Sequence, residues 1–184
     1  MVKQYPSDYR ALNNLAQMAI EEGDAETAKK YLQKAQSINK SASEVNTNLG
    51  LLALKSGDVK AAETYLAAGS GANTFNEVMG ALNVAKGNYT QAANNMKGAK
   101  SNAAALAQIL AKDYNSAKST LNSIKNADAI TSYLKAVLAA RTGDTGALAS
   151  NLKNAIQQDA TLAARAAKDL EFAKYASTIK DIVK

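Results

Sequence analysis

A chain of 184 residues with 47% apolar side chains is long enough for a real core, which excludes a disordered tail. It holds no Cys and no His, which removes disulfides, thiolate nucleophiles, Cys-based metal sites and the commonest general base, while leaving the redox compartment open. The formal charge of +6 falls as +1, +2 and +3 over residues 1–60, 61–120 and 121–184. Only Arg10, Arg141 and Arg165 are arginines, so this even spread does not point to nucleic acid.

A single Pro, abundant Ala and Lys, and the lack of any alternating β-branched and aromatic run predict an all-α chain. Residues 1–8 read as a tail. Met1-Val2-Lys3-Gln4-Tyr5-Pro6 does not read as a signal peptide, and Ser7 or Asp8 is placed to cap the first helix. From there, Gly23-Asp24, Gly57-Asp58, Gly87-Asn88, Lys112-Asp113 and Gly143-Asp144 punctuate the chain, each lying between two apolar-periodic stretches. Gly suits the left-handed position that ends one helix, and the Asp or Asn after it suits the start of the next. At Lys112-Asp113 the Gly is missing, so that turn is expected to close differently.

These turns divide the chain into helical hairpins over about 9–42, 43–72, 73–99, 100–126 and 127–158, followed by capping helices over 159–184. In the first unit Leu12, Leu15, Ala16 and Ala19 face Ala28, Leu32 and Ala35. In the second, Leu49, Gly50 and Ala53 face Ala62, Leu66 and Gly69. In the third, Met79, Gly80 and Asn83 face Ala92, Met96 and Ala99. Small residues at mid-helix let the axes approach, and larger neighbours fill the space around them. From Ala28 to Ala62 is 34 residues; later intervals, to Ala92, Ala117 and Leu148, are 30, 25 and 31. In the last segment Asp159-Ala160-Thr161 starts a helix carrying Leu162, Ala163 and Ala166, and Asp169-Leu170-Glu171-Phe172 starts another. Lys168, Lys174, Lys180 and Lys184 face water, as the polar end of a helical stack requires.

This pattern resembles the tetratricopeptide repeat: Leu15-Ala16…Ala28…Leu32…Ala35, then Leu49-Gly50…Ala62…Leu66…Gly69. The resemblance covers about residues 1–158 and is regular only in its first two units. It implies an all-α, right-handed superhelical solenoid of about five hairpins with a C-terminal capping helix pair. It says almost nothing about activity. Pro6 falls where the family closes a preceding repeat, so the chain is expected to be part of a longer protein. A weaker resemblance rests on Tyr5-Pro6-Ser7-Asp8-Tyr9-Arg10-Ala11, the degenerate middle repeats and Lys168-Asp169-Leu170-Glu171-Phe172-Ala173-Lys174-Tyr175. It is to the repeat segment of Gram-negative envelope proteins that carry an OmpA-like domain, and it implies a periplasmic or outer-membrane-associated location, with the cytoplasm as the alternative.

In such repeats the first helix of each hairpin lines the groove. The corresponding partner-binding positions are Asn13, Asn14 and Gln17, then Thr47, Asn48 and Leu51, then Thr74, Glu77 and Ala81, with Tyr133 and Val137 further on. Asn is a poor helix former, so its density there suits either hydrogen bonding to extended peptide backbone or a merely Asn-rich surface. The cochaperone members of the family hold a terminal carboxylate with Lys, Asn, Asn, Lys and Arg. Here Asn13, Gln17, Asn48, Thr74 and Val78 stand at those places, so only Asn48 agrees and all three cations are missing.

No motif points to catalysis, a cofactor or a metal. Glu21, Glu22, Asp24 and Glu26 flank a helix junction, where Asp24 and Glu26 favour a helix N-terminus. Gly69-Ser70-Gly71 has no phosphate-loop continuation. Gly143-Asp144-Thr145-Gly146 shares only letters with aspartic proteases, and the sequons at Asn39 and Asn88 read as chance. No apolar run is long enough to span a membrane. The expected function is a non-catalytic scaffold that binds a protein or peptide in the groove. The alternative is a structural spacer between domains. A carbohydrate-handling module would want aromatic platforms, and there is no Trp.

Overall fold

The computed structural model describes residues 8–183. The expected tail, Pro6 and Ser7 included, lies outside the described residues apart from Asp8, and so does Lys184. The described residues form α-helices and one 3-10 segment, with no strand among them. The chain divides into two compact units, Met1–Asn95 and Met96–Lys184.

The first unit holds three hairpins: α1 (Tyr9–Glu22) on α2 (Ala25–Ile38), α3 (Ser43–Lys55) on α4 (Val59–Leu66), and α5 (Phe75–Ala85) on α6 (Tyr89–Asn95). One apolar cluster runs through α1, α2 and the start of α3, with Leu12, Ala16, Ala28, Leu32, Ala35 and Val45 at its centre. A smaller one, built on Ala53, Ala62, Leu66, Val78 and Leu82, joins α3, α4 and α5. Helix α3 belongs to both, so each hairpin buries its apolar face on its neighbour rather than only on itself.

The second unit holds α7 (Asn102–Leu110) on α8 (Tyr114–Ser123) and α9 (Ala129–Thr142) on α10 (Thr145–Gln158). The end of the chain follows as α11 (Leu162–Ala166), a 3-10 segment over Leu170–Tyr175 and α12 (Ala176–Ile182), packed on α9 and α10. The second of the two expected capping helices thus begins as a tighter 3-10 turn. One cluster of buried side chains runs through this unit, from Ala105 and Ile109 through Tyr133 and Leu152 to Phe172 and Ile179.

The hairpin turns share one construction. The backbone N–H of Asp24, Asp58, Asn88, Asp113 and Asp144 reaches back to the carbonyl of Ala19, Ala53, Asn83, Gln108 and Ala139, at 2.8–2.9 Å. This is the bond that closes a helix through a left-handed residue. The four aspartates then accept the N–H three residues on, at Thr27, Ala61, Ser116 and Ala147. Bonding from the Thr27 hydroxyl and N–H holds the Asp24 carboxyl below its ordinary range, and Ser116 does the same for Asp113.

The turn without Gly closes in the same way as the others, contrary to expectation. Lys112 itself takes the left-handed conformation, at φ 62°, in place of the 77–82° of the glycines at the other four turns. The geometry of the repeat dictates that backbone whatever residue fills it.

Candidate functional site

The first helix of each hairpin carries the predicted binding positions, and the fold sorts them by burial. Asn14 and Gln17 stand exposed on α1, where the Gln17 amide reaches Glu21 at 3.4 Å. Glu77 is exposed in the first turn of α5. Thr74 is also exposed, but it is the residue preceding that helix and its side chain makes no capping bond. Leu51 is half-buried against the apolar clusters on both sides of α3.

Three positions depart from the expected groove. Thr47 is fully buried, and its hydroxyl donates to the Gly69 carbonyl at 3.0 Å, so it holds the loop after α4 rather than facing a partner. A β-branched side chain at that point lies directly over a backbone: a Cβ on Gly69 would stand 2.7 Å from the Thr47 hydroxyl. Asn13 and Asn48 are buried to 8% and 7% exposure, and the Asn48 amide donates to the Asn13 carbonyl oxygen at 2.9 Å. The pair is a cross-link between α1 and α3. It leaves Asn13 Nδ2 as a donor and Asn48 Oδ1 as an acceptor with no hydrogen-bond partner among the described residues. A peptide group needs that complement of one donor and one acceptor.

The Asn-rich character of the first unit has a similar structural use elsewhere. The Asn46 amide donates to the Lys40 carbonyl while its oxygen accepts from Gln36, and the Asn83 amide donates to Asn95. Asn39, one of the chance sequons, accepts from the N–H and hydroxyl of Ser41 and so shapes the loop between α2 and α3.

In the second unit Tyr133 and Val137 do not line a groove, because both are buried. The Tyr133 ring meets Phe172 edge-on at 5.6 Å between centroids, and the Arg165 guanidinium lies 5.0 Å over it. Its hydroxyl donates to Asp169 at 2.6 Å. Burial, then the hydrogen bond and negative charge of Asp169, push the Tyr133 ionisation well above its usual range. Close by, the Arg141 guanidinium donates to both oxygens of Glu171 and to the Ile109 carbonyl. The hydrogen bond it donates to Glu171 leads the causes that raise its already high pKa. Together, Tyr133, Arg141, Asp169, Glu171 and Phe172 lock the end of the chain onto α9. The sequence marked Arg141 only as a rare arginine and missed this role, since its partner lies 30 residues away.

No group of carboxylates among the described residues is arranged to hold a metal ion, and no described helix is long and apolar enough to cross a membrane.

The sequence profile of the tetratricopeptide repeat matches residues 19–82, the stretch that contains the regular 34-residue interval. The crystal structure of a tetratricopeptide repeat protein from Parabacteroides merdae superposes on 99% of this chain and 73% of its own, with a TM-score of 0.65 and 13% sequence identity. The fold is the tetratricopeptide-repeat fold. Such a low identity carries the tetratricopeptide architecture and nothing of the partner. No curated protein matches the chain. The small residues Ala16, Gly50 and Gly80 of the first helices and Ala28, Ala62 and Ala92 of the second helices are all buried. Gly50 shows how closely α3 meets α4: a Cβ there would fall 2.7 Å from Leu66 Cγ.

Proposed function

We propose that this chain is a non-catalytic interaction scaffold that takes an extended segment of a partner protein along the first-helix face of Met1–Asn95. The observation that carries the reading is the set of side chains exposed there. Asn14, Gln17 and Thr74 are neutral hydrogen-bonding groups, Glu77 adds one charge, and the Asn13–Asn48 pair offers one donor and one acceptor at a fixed spacing. A face built this way favours main-chain recognition over a charged anchor. The missing cations at the carboxylate-clamp positions agree with that. The tetratricopeptide fold is consistent with a protein-interaction scaffold.

The setting belongs to the same proposal: a segment of a Gram-negative envelope protein, periplasmic or associated with the outer membrane. It rests on the resemblance of both ends of the chain to the repeat segments that accompany OmpA-like domains. A spacer with no ligand of its own is the competing reading, and the burial of Asn13 and Asn48 against each other favours it, since two of the groove asparagines already serve the fold.

Site-specific photo-crosslinking in the native full-length protein separates the two. A photoreactive residue at Asn14, Gln17 or Glu77 is expected to capture one and the same partner, and one at Lys29 or Gln33 on α2 is expected to capture none. Indistinguishable patterns at both sets of positions would leave the spacer. Fractionation of the same cells tests the compartment.

A further inference from the structure

The charge of the chain follows the structural division rather than the thirds of the sequence. Residues 1–95 hold nine Lys and Arg against nine Asp and Glu, whereas residues 96–184 hold 13 against seven, so the whole +6 belongs to the second unit. Within that unit, α8, α9 and α10 line a half-open cavity of about 450 Å³. Its lining comes from these three helices and the turn between α9 and α10, and includes none of the residues on which the proposed function rests.

Two ammonium groups line this cavity, Lys118 from α8 and Lys135 from α9. Neither pairs with a carboxylate among the described residues. The one carboxylate on the wall, Asp144, is turned to the start of α10, where it accepts the Ala147 N–H at 2.9 Å. Unpaired cations facing a shared concavity attract an anion, and low-dielectric walls strengthen that field. Here the walls include the buried side chains of Leu121 and Leu138.

The remaining polar groups select the kind of anion. Asn115 and Asn122 from α8 present carboxamides that make no hydrogen bond among the described residues. Asn151 from α10 donates to the Ala147 carbonyl and keeps its own oxygen free. Carboxamides match the donor and acceptor of a peptide group. No arginine lines the cavity, and Tyr114 is its only aromatic residue. A nucleic-acid strand draws on arginine for its phosphates and stacking platforms for its bases, so this lining suits it poorly.

We propose that the cavity between α8, α9 and α10 is a second binding site, for an extended acidic peptide. Its acidic side chains pair with Lys118 and Lys135 while its backbone lies across Asn122 and Asn151. The proposal does not depend on the first-helix reading, because the two sites share no residue.

The test titrates the full chain, ¹⁵N-labelled, with N-acetyl-hexaglutamate amide. Resonances of Lys118, Asn122, Lys135 and Asn151 are expected to move, and hexaglutamine is expected to move none. The Lys118→Gln/Lys135→Gln variant should bind about tenfold more weakly, in line with two lost charge contacts. The Lys125→Gln/Lys153→Gln variant removes the same charge outside the cavity and should stay within about twofold of the parent. If the first variant loses its helical signal, Lys118→Gln alone, at an exposed position, carries the comparison. Equal losses in both double variants, or shifts spread over the whole second unit, would mean general attraction to a basic surface and overturn the site. Tighter binding of hexathymidylate at the same residues would overturn the peptide.

Discussion

Lys112 shows how a single residue carries the demand of a repeat. Its φ of 62° lies in the left-handed region, where a Cβ crowds the following carbonyl at roughly 1–2 kcal/mol. Lys112→Gly removes that strain and adds back some backbone entropy to the unfolded chain. The net expectation is a gain of about 0.5–1 kcal/mol. Urea denaturation measures it, and a loss would mean that the Lys112 side chain makes contacts worth more than the strain. Tyr133 poses the opposite case. Tyr133→Phe keeps the ring on Phe172 but leaves Asp169 without its hydroxyl donor, at an expected cost of about 1–2 kcal/mol. Its pH dependence has a definite sign. Tyr133 ionises above its ordinary 10.0 in the folded state, so its contribution is full below pH 10 and is lost as the pH climbs towards the raised value. The alkaline limb of the stability curve should therefore be flatter in Tyr133→Phe than in the parent.

At the scale of the helix pair, closeness is set by what is missing. Gly50 lets α3 lie against Leu66 of α4, itself 2% exposed and hemmed in by the core. Gly50→Ala gains up to about 1 kcal/mol in helix propensity but drives a Cβ into Leu66, and overpacking of this kind costs about 1–3 kcal/mol. The expected result is a net loss of up to about 2 kcal/mol and a lower melting temperature. The same substitution would stabilise a helix whose glycine faced water, so the direction of the change reports the contact. The turns between helices in each pair were legible in the sequence because their chemistry is local: Gly for the left-handed backbone, Asp for the free N–H groups that follow. The side-chain bonds between residues far apart in the chain were not. Thr47 to Gly69 and Asn48 to Asn13 link residues 22 and 35 apart, and no local pattern marks them.

Over the whole molecule, burial is uneven. Residues 53–82 rest on a small cluster of Ala53, Ala62, Leu66, Val78 and Leu82, whereas α9 buries most of its length and carries the lock to Asp169, Glu171 and Phe172. In repeat proteins local stability follows such neighbour contacts. Amide hydrogen exchange is expected to be slowest in α9 and α10 and faster in α5 and α6. Equal protection throughout would mean that the chain opens as a single cooperative unit. The charge division belongs to this scale too. Counted by thirds the sequence looks evenly basic; counted by compact units, one is neutral and the other holds the entire excess.

Sequence alone determined the helices, their pairing through Gly-Asp turns, the small residues at the close contacts and the repeat class. Each of these follows from short-range sterics and from apolar spacing along one helix. Tertiary structure alone decided which polar residues remain for a partner. Asn13, Asn48 and Thr47 look the same in the sequence as Asn14 and Gln17. Only the neighbouring helix or loop turns the first three into internal bonds and leaves the other two in water, because burial is a property of what packs against a residue and not of the residue.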